Sequence, residues 1–492
     1  MQDMRQKNAA NLHLLEEQTF CQQFSESARR YPDNTAVYCK GIRYTYRELE
    51  ERSALLACHL VTQGVKREDI VAIATGRSSD TIVAMLGVWK AGAAYFYENP
   101  TFPRAQMEDV LEQCRCHVVI NDDYLRNIDW SAKAPMELDL SVPNALALLI
   151  FTSGSTAKPK GVMIEHRNIM AMNDSVSGFA LTSEDAVCVF PSFSFVAAIS
   201  DTFPPLLCGA ALYIIDEEFR HDIRQIIDYF IKYGITVSFL PPHMAEKLCR
   251  TEDGRTRLRL LIVGSENMRN LSPQRYEIRH VFGSSEMCSL VADYVIRDTR
   301  GKYPIGRVKS GMKYYIIGSD GEPVPHGKDG ELWLSGPQVS RGYFYDPQKT
   351  AKQYLLNPFC SDTGYERVFR TGDIVRQLED GNLLHISRMD DVFKIRGYRV
   401  EAGVVESMIA AYPGVRDVVV RAFPDSNGVN VLYGYFLSQE EVDPKAIKLF
   451  LKERIPYYMI PACLIRMKEF PRNLNNKVIR PNFRPPAETC DH

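Results

Sequence analysis

The sequence predicts an α/β protein: a large N-terminal domain of parallel-type sheets with helices and a β-rich subdomain, followed by a small α+β domain. Over roughly the first 300 residues, short apolar runs alternate with helical patterns, which is typical of a parallel sheet covered on both faces. A chain of 492 residues is too long for one compact core. Later, closely spaced Asp-Gly turns separate β-rich pieces, which predicts an antiparallel or barrel-like subdomain.

Apolar periodicity gives the individual elements. Helices are predicted over residues 20–30, 81–90 and 223–233. Strands are predicted over residues 36–39, 70–74, 146–152, 211–215, 237–240, 260–263 and 331–335. The tail carries its own helix and strand patterns at residues 404–411, 415–422 and 447–454, and its size suits an independent small domain.

Composition excludes several classes of protein. Lys and Arg number 59 against 61 Asp and Glu, which gives no electrostatic reason to expect nucleic acid as a partner. The 12 cysteines are scattered, and the close pair Cys114 and Cys116 has no second pair or histidine cluster that would complete a zinc site. The sequence shows neither a signal pattern nor an apolar run near the roughly 20 residues of a membrane span. We expect a cytoplasmic protein without a membrane span.

A loop rich in hydroxyls and glycine follows the strand predicted at 146–152 and reads TSGSTAKPKG over residues 152–161. Glycine lets backbone N–H groups approach an anion, hydroxyls donate hydrogen bonds, and lysine neutralises phosphate charge. Pro159 stands where the common P-loop has its second glycine, so the loop is a different phosphate motif. The competing interpretation is a surface loop that is rich in turn residues.

The loop resembles, over ten residues, the phosphate loop of the adenylate-forming superfamily, which includes acyl-CoA ligases, luciferases and peptide-synthetase adenylation domains. Other motifs of that superfamily follow in order along nearly the whole chain. The matching segments are 43–49, 89–95, 282–286, 369–373, 387–391 with 394–397, and 471–477. The chain most resembles stand-alone adenylation domains of nonribosomal peptide synthetases and carrier-protein ligases.

The resemblance implies a site for ATP and Mg²⁺, in which Glu286 helps to hold the metal and Asp373 accepts the ribose hydroxyls. Without the motifs, Glu286 would be interpreted as a solvated loop residue and Asp373 as a turn cap. Gly264 and its neighbours are expected beside adenine, with Phe282 as a stacking face. The full set implied for the nucleotide is Thr152, Ser153, Gly154, Ser155, Thr156, Lys160, Gly264, Ser265, Glu266, Phe282, Gly283, Ser284, Ser285, Asp373 and Arg388.

Two lysines are implied as catalytic, together with Glu286. Lys477 ends a segment that resembles the family's Pro-x-Thr-x-x-Gly-Lys string and is predicted to act in adenylation. Asn476 replaces the glycine of that string, and asparagine tolerates a left-handed backbone. Lys394 belongs to a segment that covers the active site in the second half-reaction.

The resemblance also implies two domains, residues 1–387 and 388–492. In the family the small domain rotates about a hinge, which corresponds to Asp390 here, once the adenylate has formed. The rotation exchanges the Lys477 loop for the Lys394 segment, so that a thiol can attack the adenylate.

The acyl pocket departs from that of amino-acid-activating domains. Val196 stands where those domains carry an aspartate that pairs with the substrate ammonium, and a buried ammonium without a counter-charge is costly. Either the acid lacks an α-amino group, or another residue such as Asp201 anchors the amine. The remaining predicted lining favours a small or apolar acid and comprises Ala197, Ser200, Phe239, Leu261, Val263, Val281, Ser289 and Leu290.

No Gly-Gly-x-Ser-Leu segment is present to hold a phosphopantetheine. We therefore expect transfer of the acyl group to the phosphopantetheine thiol of a separate carrier protein. The main alternative is an acyl-CoA ligase that uses the same adenylate. An inactive binding partner of a synthetase is disfavoured because Glu286, Asp373 and Lys477 are all retained, and a luciferase-like oxygenase stays open.

Overall fold

A computed structural model describes residues 18–98, 104–132, 138–152, 159–264, 271–300, 302–389, 392–425, 429–438, 441–471, 478 and 480–485. The chain divides into two compact units. The first unit contains residues 1–98, 114–151 and 161–387, and the second contains residues 99–113, 152–160 and 388–492.

Several of the described helices begin at a capping side chain. Thr45, for example, accepts a hydrogen bond from Glu48 N (3.2 Å), while the Glu48 side chain accepts one from Thr45 N (2.7 Å), which forms a capping box. None of these helices combines the length and the apolar character that crossing a bilayer requires. The helices are α1 Phe20–Arg30, α2 Tyr46–Thr62, α3 Ser79–Lys90, α4 Arg104–Cys114, α5 Asp122–Arg126, α6 His166–Val176, α7 Ala197–Leu207, α8 Ile223–Tyr233, α9 Pro242–Thr251, α10 Pro347–Gln353, α11 Ala402–Ala410 and α12 Pro444–Lys452.

The strands fall into five sheets. In chain order they are β1 Thr35–Cys39, β2 Ile42–Thr45, β3 Ile70–Ile73, β4 Ala94–Tyr97, β5 Val119–Ile120, β6 Leu146–Thr152, β7 Lys160–Glu165, β8 Ala186–Val189, β9 Ala211–Ile214, β10 Val237–Leu240, β11 Leu260–Val263, β12 Glu277–Ser284, β13 Ser289–Val295, β14 Arg307–Val308, β15 Lys313–Ile317, β16 Asp329–Ser335, β17 Gly342–Tyr343, β18 Tyr354–Leu356, β19 Arg367–Gln377, β20 Leu383–Arg388, β21 Val392–Ile395, β22 Tyr398–Glu401, β23 Val415–Pro424, β24 Asn430–Ser438 and β25 Cys463–Met467.

A nine-stranded sheet dominates the first unit, in the order β14-β13-β12-β11-β10-β8-β9-β1-β2. Its interior pairs, from β12 to β1, are parallel, and the pairs at both edges are antiparallel. A second sheet follows the order β17-β7-β6-β4-β3-β5, and β15, β16, β18, β19 and β20 form the five-stranded sheet, whose β15–β16, β16–β19 and β18–β19 pairs are antiparallel. The predicted α/β class and the β-rich subdomain are thus confirmed.

In the second unit, β23 to β25 form a three-stranded sheet and β21 pairs with β22. Helices α11 and α12 pack with these strands around a separate apolar core, which includes Val405, Phe436 and Leu451. Helix α12 begins three residues before the start predicted from apolar periodicity. It begins there because Asp443 caps it by accepting a hydrogen bond from Lys445 N (2.9 Å) and proline occupies its first position.

Two ionised side chains are buried together in the core of the first unit. Lys90, at the end of α3, places Nζ 2.6 Å from Glu50 Oε1 of α2, and the two side chains are 1% and 6% exposed. Ser25 Oγ also donates to Glu50 Oε1, at 2.8 Å. Because charges taken out of water need partners, each member of the pair makes the burial of the other tolerable.

Replacing one member of this pair should therefore destabilise the fold strongly. We expect Lys90→Met to lower the free energy of unfolding by about 3–5 kcal/mol, since Glu50 would stay buried without its cation. The double variant Lys90→Met/Glu50→Leu should recover most of that loss. The exposed Lys66 provides a control, as Lys66→Met should change the value by less than about 0.5 kcal/mol. Guanidinium denaturation measures all three, and a double variant no more stable than Lys90→Met would contradict this account.

Candidate functional site

The motif residues of the first unit follow the ends of neighbouring strands of the nine-stranded sheet. Gly264 comes directly after β11, and Phe282 to Ser284 end the next strand, β12. In open parallel sheets, ligands bind beyond the carboxyl ends of the strands. The sheet therefore brings Gly264 and the 282–286 motif to the edge where a ligand is expected.

Glu286 lies in a single 3-10 turn, Ser285–Met287, that follows β12. Its side chain is fully buried. Oε1 accepts a hydrogen bond from the Tyr343 hydroxyl at 2.9 Å, and the Glu286 backbone carbonyl accepts one from Ser340 N at 2.9 Å. A buried carboxylate needs such partners to offset its lost hydration, so these contacts fix the orientation of Glu286.

The donors around Glu286 bear on metal binding. Across the described part of the chain, no three His, Cys, Asp or Glu side chains are grouped so that they could hold a metal ion by themselves. Mg²⁺ does not require such a cage, because it usually binds through one or two carboxylates together with water and substrate phosphates. One buried carboxylate at the sheet edge fits that donor set.

Two glycines allow the backbone to close tightly around this turn. A Cβ at Gly283 would lie 1.8 Å from the Ser289 carbonyl oxygen, and a Cβ at Gly264 would lie 2.7 Å from Val281 Cγ2. The chain then reverses through Cys288 and Ser289, whose φ angles are +49° and +96°. Left-handed backbone at two consecutive non-glycine residues is costly and tends to occur at functional sites.

A hydrogen-bonded turn positions Asp373 within β19. Thr371 Oγ1 donates to Leu332 O (2.8 Å) and accepts from Asp373 N (3.0 Å). Gly372 has a φ of +73°, and its N–H donates to Glu331 Oε1 (3.1 Å). The Arg-Thr-Gly-Asp sequence thus supplies a hydroxyl for the turn and a glycine where the backbone is left-handed.

The Asp373 carboxylate faces a histidine on the following strand. His385 Nε2 lies 3.0 Å from Asp373 Oδ1, and the two side chains are 15% and 10% exposed. Strand β20 pairs with β19, and the turn between them is closed by Leu378 N donating to Asn382 O at 2.8 Å. The turn brings together two side chains that lie twelve residues apart in the sequence.

Part of the predicted acyl pocket gathers at the start of α7. Val196 precedes this helix without a side-chain cap, and Val196 and Ala197 are both half-buried. Ser200 Oγ accepts a hydrogen bond from Ser289 Oγ at 3.3 Å and donates to Ala197 O at 2.9 Å. The two predicted pocket hydroxyls are therefore neighbours.

The predicted lining residues on the strands divide between two faces of the sheet. Phe239, Val281 and Leu290 belong to the same core as Val196 and Ala197. Leu261 and Val263 are fully buried and pack in the core on the opposite face. Alternate residues of a strand point to opposite faces, so the structure does not bring Leu261 and Val263 to the face that carries Phe239.

Asp201, the predicted alternative anchor for an amine, lies on α7 and is 2% exposed. Among the described residues, its Oδ2 has no hydrogen-bond partner. Burial raises the pKa of Asp201 well above its usual range, although a hydrogen bond from the Phe190 backbone and the charge of Arg77 oppose this shift. The carboxyl is therefore biased towards its neutral form.

The second unit contains the remaining described motif residues. Lys160 Nζ lies 2.8 Å from Glu401 Oε1, and both side chains are buried. Lys394 lies in β21, and the turn into β22 passes through Arg396 and Gly397 with φ angles of +50° and +87°. Two-residue hairpins of this kind require left-handed backbone, which explains the glycine at position 397.

Comparison with known proteins identifies the family of this chain. The model of the AMP-binding enzymes matches residues 24–344. The chain belongs to this family. The resemblance to adenylate-forming ligases is thereby confirmed.

Among curated relatives of this AMP-binding enzyme, bacitracin synthase 1 of Bacillus licheniformis is 33% identical over 473 residues. The match covers 93% of this chain but spans only 9% of that protein's length. A fused adenylation–PCP di-domain, NpsA-ThdA of Klebsiella oxytoca, has a TM-score of 0.81 at 24% identity, covering 92% and 94% of the two chains. The adenylation domain AlmE of Vibrio cholerae, solved with glycyl-adenosine-5′-phosphate, has a TM-score of 0.82 at 21% identity, covering 93% and 96%. Both solved structures have the same fold as this chain.

Several motif residues predicted for the AMP-binding enzyme lie outside the described residues. These are Ser153, Gly154, Ser155, Thr156, Ser265, Glu266, Asp390 and Lys477. Thr152 is the last residue of β6 and Arg388 the last of β20.

Sequence reasoning missed three residues that surround the motif carboxylates. They are Tyr343, which donates to Glu286; His385, which contacts Asp373; and Gln338, whose Nε2 donates to the Met287 and Leu290 carbonyls at 3.1 and 3.0 Å. Their partners are 12 to 57 residues away in the sequence, so no local pattern in a single sequence identifies them.

The tight approach at Gly283 predicts a matched pair of substitutions. Gly283→Ala would drive its Cβ into the Ser289 carbonyl, and we expect it to lower the free energy of unfolding by about 1–3 kcal/mol. Gly311→Ala adds the same methyl group where no atom lies within 4 Å, so its effect should stay within about 0.5 kcal/mol. Chemical denaturation compares the two variants, and equal values would show that β12 and β13 can separate at little cost.

Proposed function

We propose that this chain activates a small or apolar carboxylic acid with ATP as its acyl adenylate and passes the acyl group to the phosphopantetheine of a separate carrier protein. The observation that carries the proposal is the pair of buried carboxylates, Glu286 and Asp373, each in its family motif and each held by a neighbouring side chain. Membership of the AMP-binding enzymes supports the use of ATP.

The first step joins two anions. A carboxylate oxygen attacks the α-phosphorus of ATP, the bond to the β-phosphate oxygen breaks, and pyrophosphate leaves. Negative charge builds up on the oxygens around the α-phosphorus and on the leaving pyrophosphate, so cations and fixed donors must stabilise the transition state. We assign this task to Lys477 and to the 152–161 loop with Lys160. Glu286 would hold Mg²⁺, which supplies charge neutralisation at the phosphates.

Asp373 is assigned to the ribose hydroxyls, because an ionised carboxylate can accept two hydrogen bonds. Gly264 and Phe282 are assigned to the adenine. Glycine is needed at position 264 for packing, since a methyl group there would clash with Val281. Ser265, Glu266, Gly283, Ser284, Ser285 and Arg388 complete the proposed nucleotide site.

The proposed acid lacks an α-amino group. Val196 has no charge, and burial biases Asp201 towards its neutral form, so neither residue is suited to pair with an ammonium. The hydroxyls of Ser200 and Ser289 lie close together and can serve a small polar substituent. AlmE carries a glycyl adenylate on the same fold, which supports a small acid and makes small amino acids the competing substrates.

A panel of acids tests this assignment by ATP–pyrophosphate exchange. Keto, hydroxy, aryl and short acyl acids should support exchange at least about tenfold faster than the matching α-amino acids, because an unpaired buried ammonium is unfavourable. Val196→Asp should narrow this preference, whereas the uncharged Val196→Asn should leave it in place. Faster exchange with ordinary amino acids in the wild-type protein would overturn the assignment.

A parallel assay with two possible acceptors tests which thiol receives the acyl group. Wild-type protein, ATP and the best acid of the panel are offered a phosphopantetheinylated carrier protein and free coenzyme A in parallel. Acylation of the carrier is expected. A product found only on coenzyme A would favour the acyl-CoA ligase alternative, and exchange without either thioester would refute transfer to a thiol.

We assign Lys477 to adenylation and Lys394 to the thiol-transfer half-reaction. Residues 388–492 would rotate about Asp390 between the two half-reactions. Lys477→Ala should slow adenylate formation by about 100-fold or more, since it removes a cation from the transition state. Thiol transfer from preformed acyl adenylate should persist. The exposed Lys468 lies nearby in the sequence, and Lys468→Ala should affect neither step. Equal loss of both half-reactions in Lys477→Ala would contradict the division of labour.

A further inference from the structure

Arg77 is a buried cation to which the proposed mechanism assigns no task. It follows β3 in the chain and directly precedes Ser78, the N-cap of α3. Its side chain is only 7% exposed. Burial, followed by the charge of Arg220, lowers the pKa of Arg77 to about 10, so the guanidinium keeps its charge at neutral pH. A buried cation is costly unless its donors are satisfied, so its partners indicate what it does.

The guanidinium of Arg77 donates to three backbone carbonyls at the ends of two neighbouring strands. Nη2 donates to Val189 O at 2.5 Å, Nη1 to Pro191 O at 2.7 Å, and Nε to Ile215 O at 3.0 Å. Val189 is the last residue of β8, and Ile215 follows the adjacent parallel strand β9. Backbone carbonyls need other partners where a sheet ladder stops, and a planar guanidinium supplies several N–H donors in a fixed geometry. Arg77 therefore closes the carboxyl edge of these two strands.

The carboxylate beside Arg77 is a more distant partner than these carbonyls. Glu217 Oε2 lies 3.9 Å from Arg77 Nε, and the Glu217 side chain is 56% exposed. Both oxygens of the same carboxylate accept from Arg220 Nη1, at 2.6 and 2.7 Å. Because the contacts to the carbonyls are the shorter ones, the main partner of Arg77 is the backbone at the strand ends.

Two of the three carbonyls flank the start of the segment that leads from β8 into α7. This segment begins at Phe190 and ends at Val196, which we assign to the acyl pocket. The N–H of Phe190 donates to the Asp201 side chain of α7, while Arg77 holds the carbonyls before and after it. The guanidinium carbon also lies 5.6 Å from the centre of the buried Phe193 ring. Side chains from outside the segment thus hold its backbone and one of its rings.

We propose that Arg77 is a positioning residue for the acyl pocket: by holding the backbone around Phe190, it sets where Val196 and the start of α7 lie relative to the substrate acid. The inference rests on the proposed function and deepens it. In this assignment Arg77 contacts neither the acid nor ATP. It acts on the affinity for the acid and leaves the nucleotide site unchanged, because Gly264 and the 282–286 motif belong to other strands.

Steady-state ATP–pyrophosphate exchange with the best acid of the panel tests this role. Arg77→Met removes all the donors, and kcat/KM for the acid should fall about 10- to 100-fold, mostly through KM, because small displacements of a positioned segment are amplified at the bound substrate. Arg77→Lys keeps the charge and can serve some of the carbonyls, so its KM for the acid should lie between those of wild type and Arg77→Met. The dissociation constant of ATP, measured by calorimetry, should change by less than about twofold.

A matched control and a second readout separate positioning from structural damage. Arg224 is exposed on α8, and Arg224→Met should match wild type in every constant. Circular dichroism melting reports the folding of each variant, and if Arg77→Met does not fold, Arg77→Lys carries the test. Hydrogen–deuterium exchange is independent of catalysis: in Arg77→Lys the amides of residues 190–199 should exchange faster, whereas those of β12 should not change.

The outcomes distinguish this inference from the proposed function. Folded Arg77 variants that keep the wild-type KM for the acid, or that weaken the acid and ATP alike, would overturn the positioning role while adenylation stands. A wild-type protein that exchanges pyrophosphate with no acid would refute the proposed adenylation. In that case, unchanged amide exchange of residues 190–199 in Arg77→Lys would also remove the positioning role, and faster exchange confined to them would support Arg77 as the residue that positions this segment.

Discussion

The candidate site in the first unit depends on the close contact between β12 and β13 at Gly283. Because no side chain fits between Gly283 and the Ser289 carbonyl, the strands meet there and the chain must reverse within a few residues. That reversal uses the strained backbone of Cys288 and Ser289 and buries Glu286 inside the turn. The same strand carries Ser289 to the hydroxyl of Ser200. One steric constraint therefore sets both the backbone of the 282–286 motif and the contact between the Ser200 and Ser289 hydroxyls.

The two motif carboxylates share a second feature. Glu286 accepts from the phenol of Tyr343, and Asp373 is in contact with the imidazole of His385. A phenol hydroxyl or an imidazole N–H can orient a carboxylate through a hydrogen bond. Each carboxylate is therefore held in one orientation by a side chain that lies far from it in the sequence. The positioning contacts are thus compatible with the proposed roles of both residues.

Local sequence patterns predicted much of the fold, because short apolar runs such as Val237–Leu240 and Leu260–Val263 coincide with the observed strands. The patterns failed where polar residues begin an element, as at Asp443 and Pro444. They also could not identify partners that only tertiary structure brings together. Lys90 and Glu50 are 40 residues apart, and His385 reaches Asp373 only through a turn. The periodicity of a single sequence does not reveal such pairs. Of the His385–Asp373 pair, the family motifs identified only Asp373.

Electrostatics at the start of α7 bear on whether the substrate acid carries an α-ammonium group. The first turn of a helix presents unpaired N–H groups and a partial positive charge, which disfavours a cation nearby. In amino-acid-activating domains, as the motif resemblance implies, an aspartate at this point pairs with the ammonium. Val196 has no charge and makes no side-chain cap to the helix, so it supplies no counter-charge at this end of the proposed pocket. An α-ammonium would then face the helix terminus without a counter-charge, whereas a neutral keto, hydroxy or acyl substituent would incur no such penalty. In the proposed pocket, the apolar Val196 therefore disfavours an α-amino acid as the substrate.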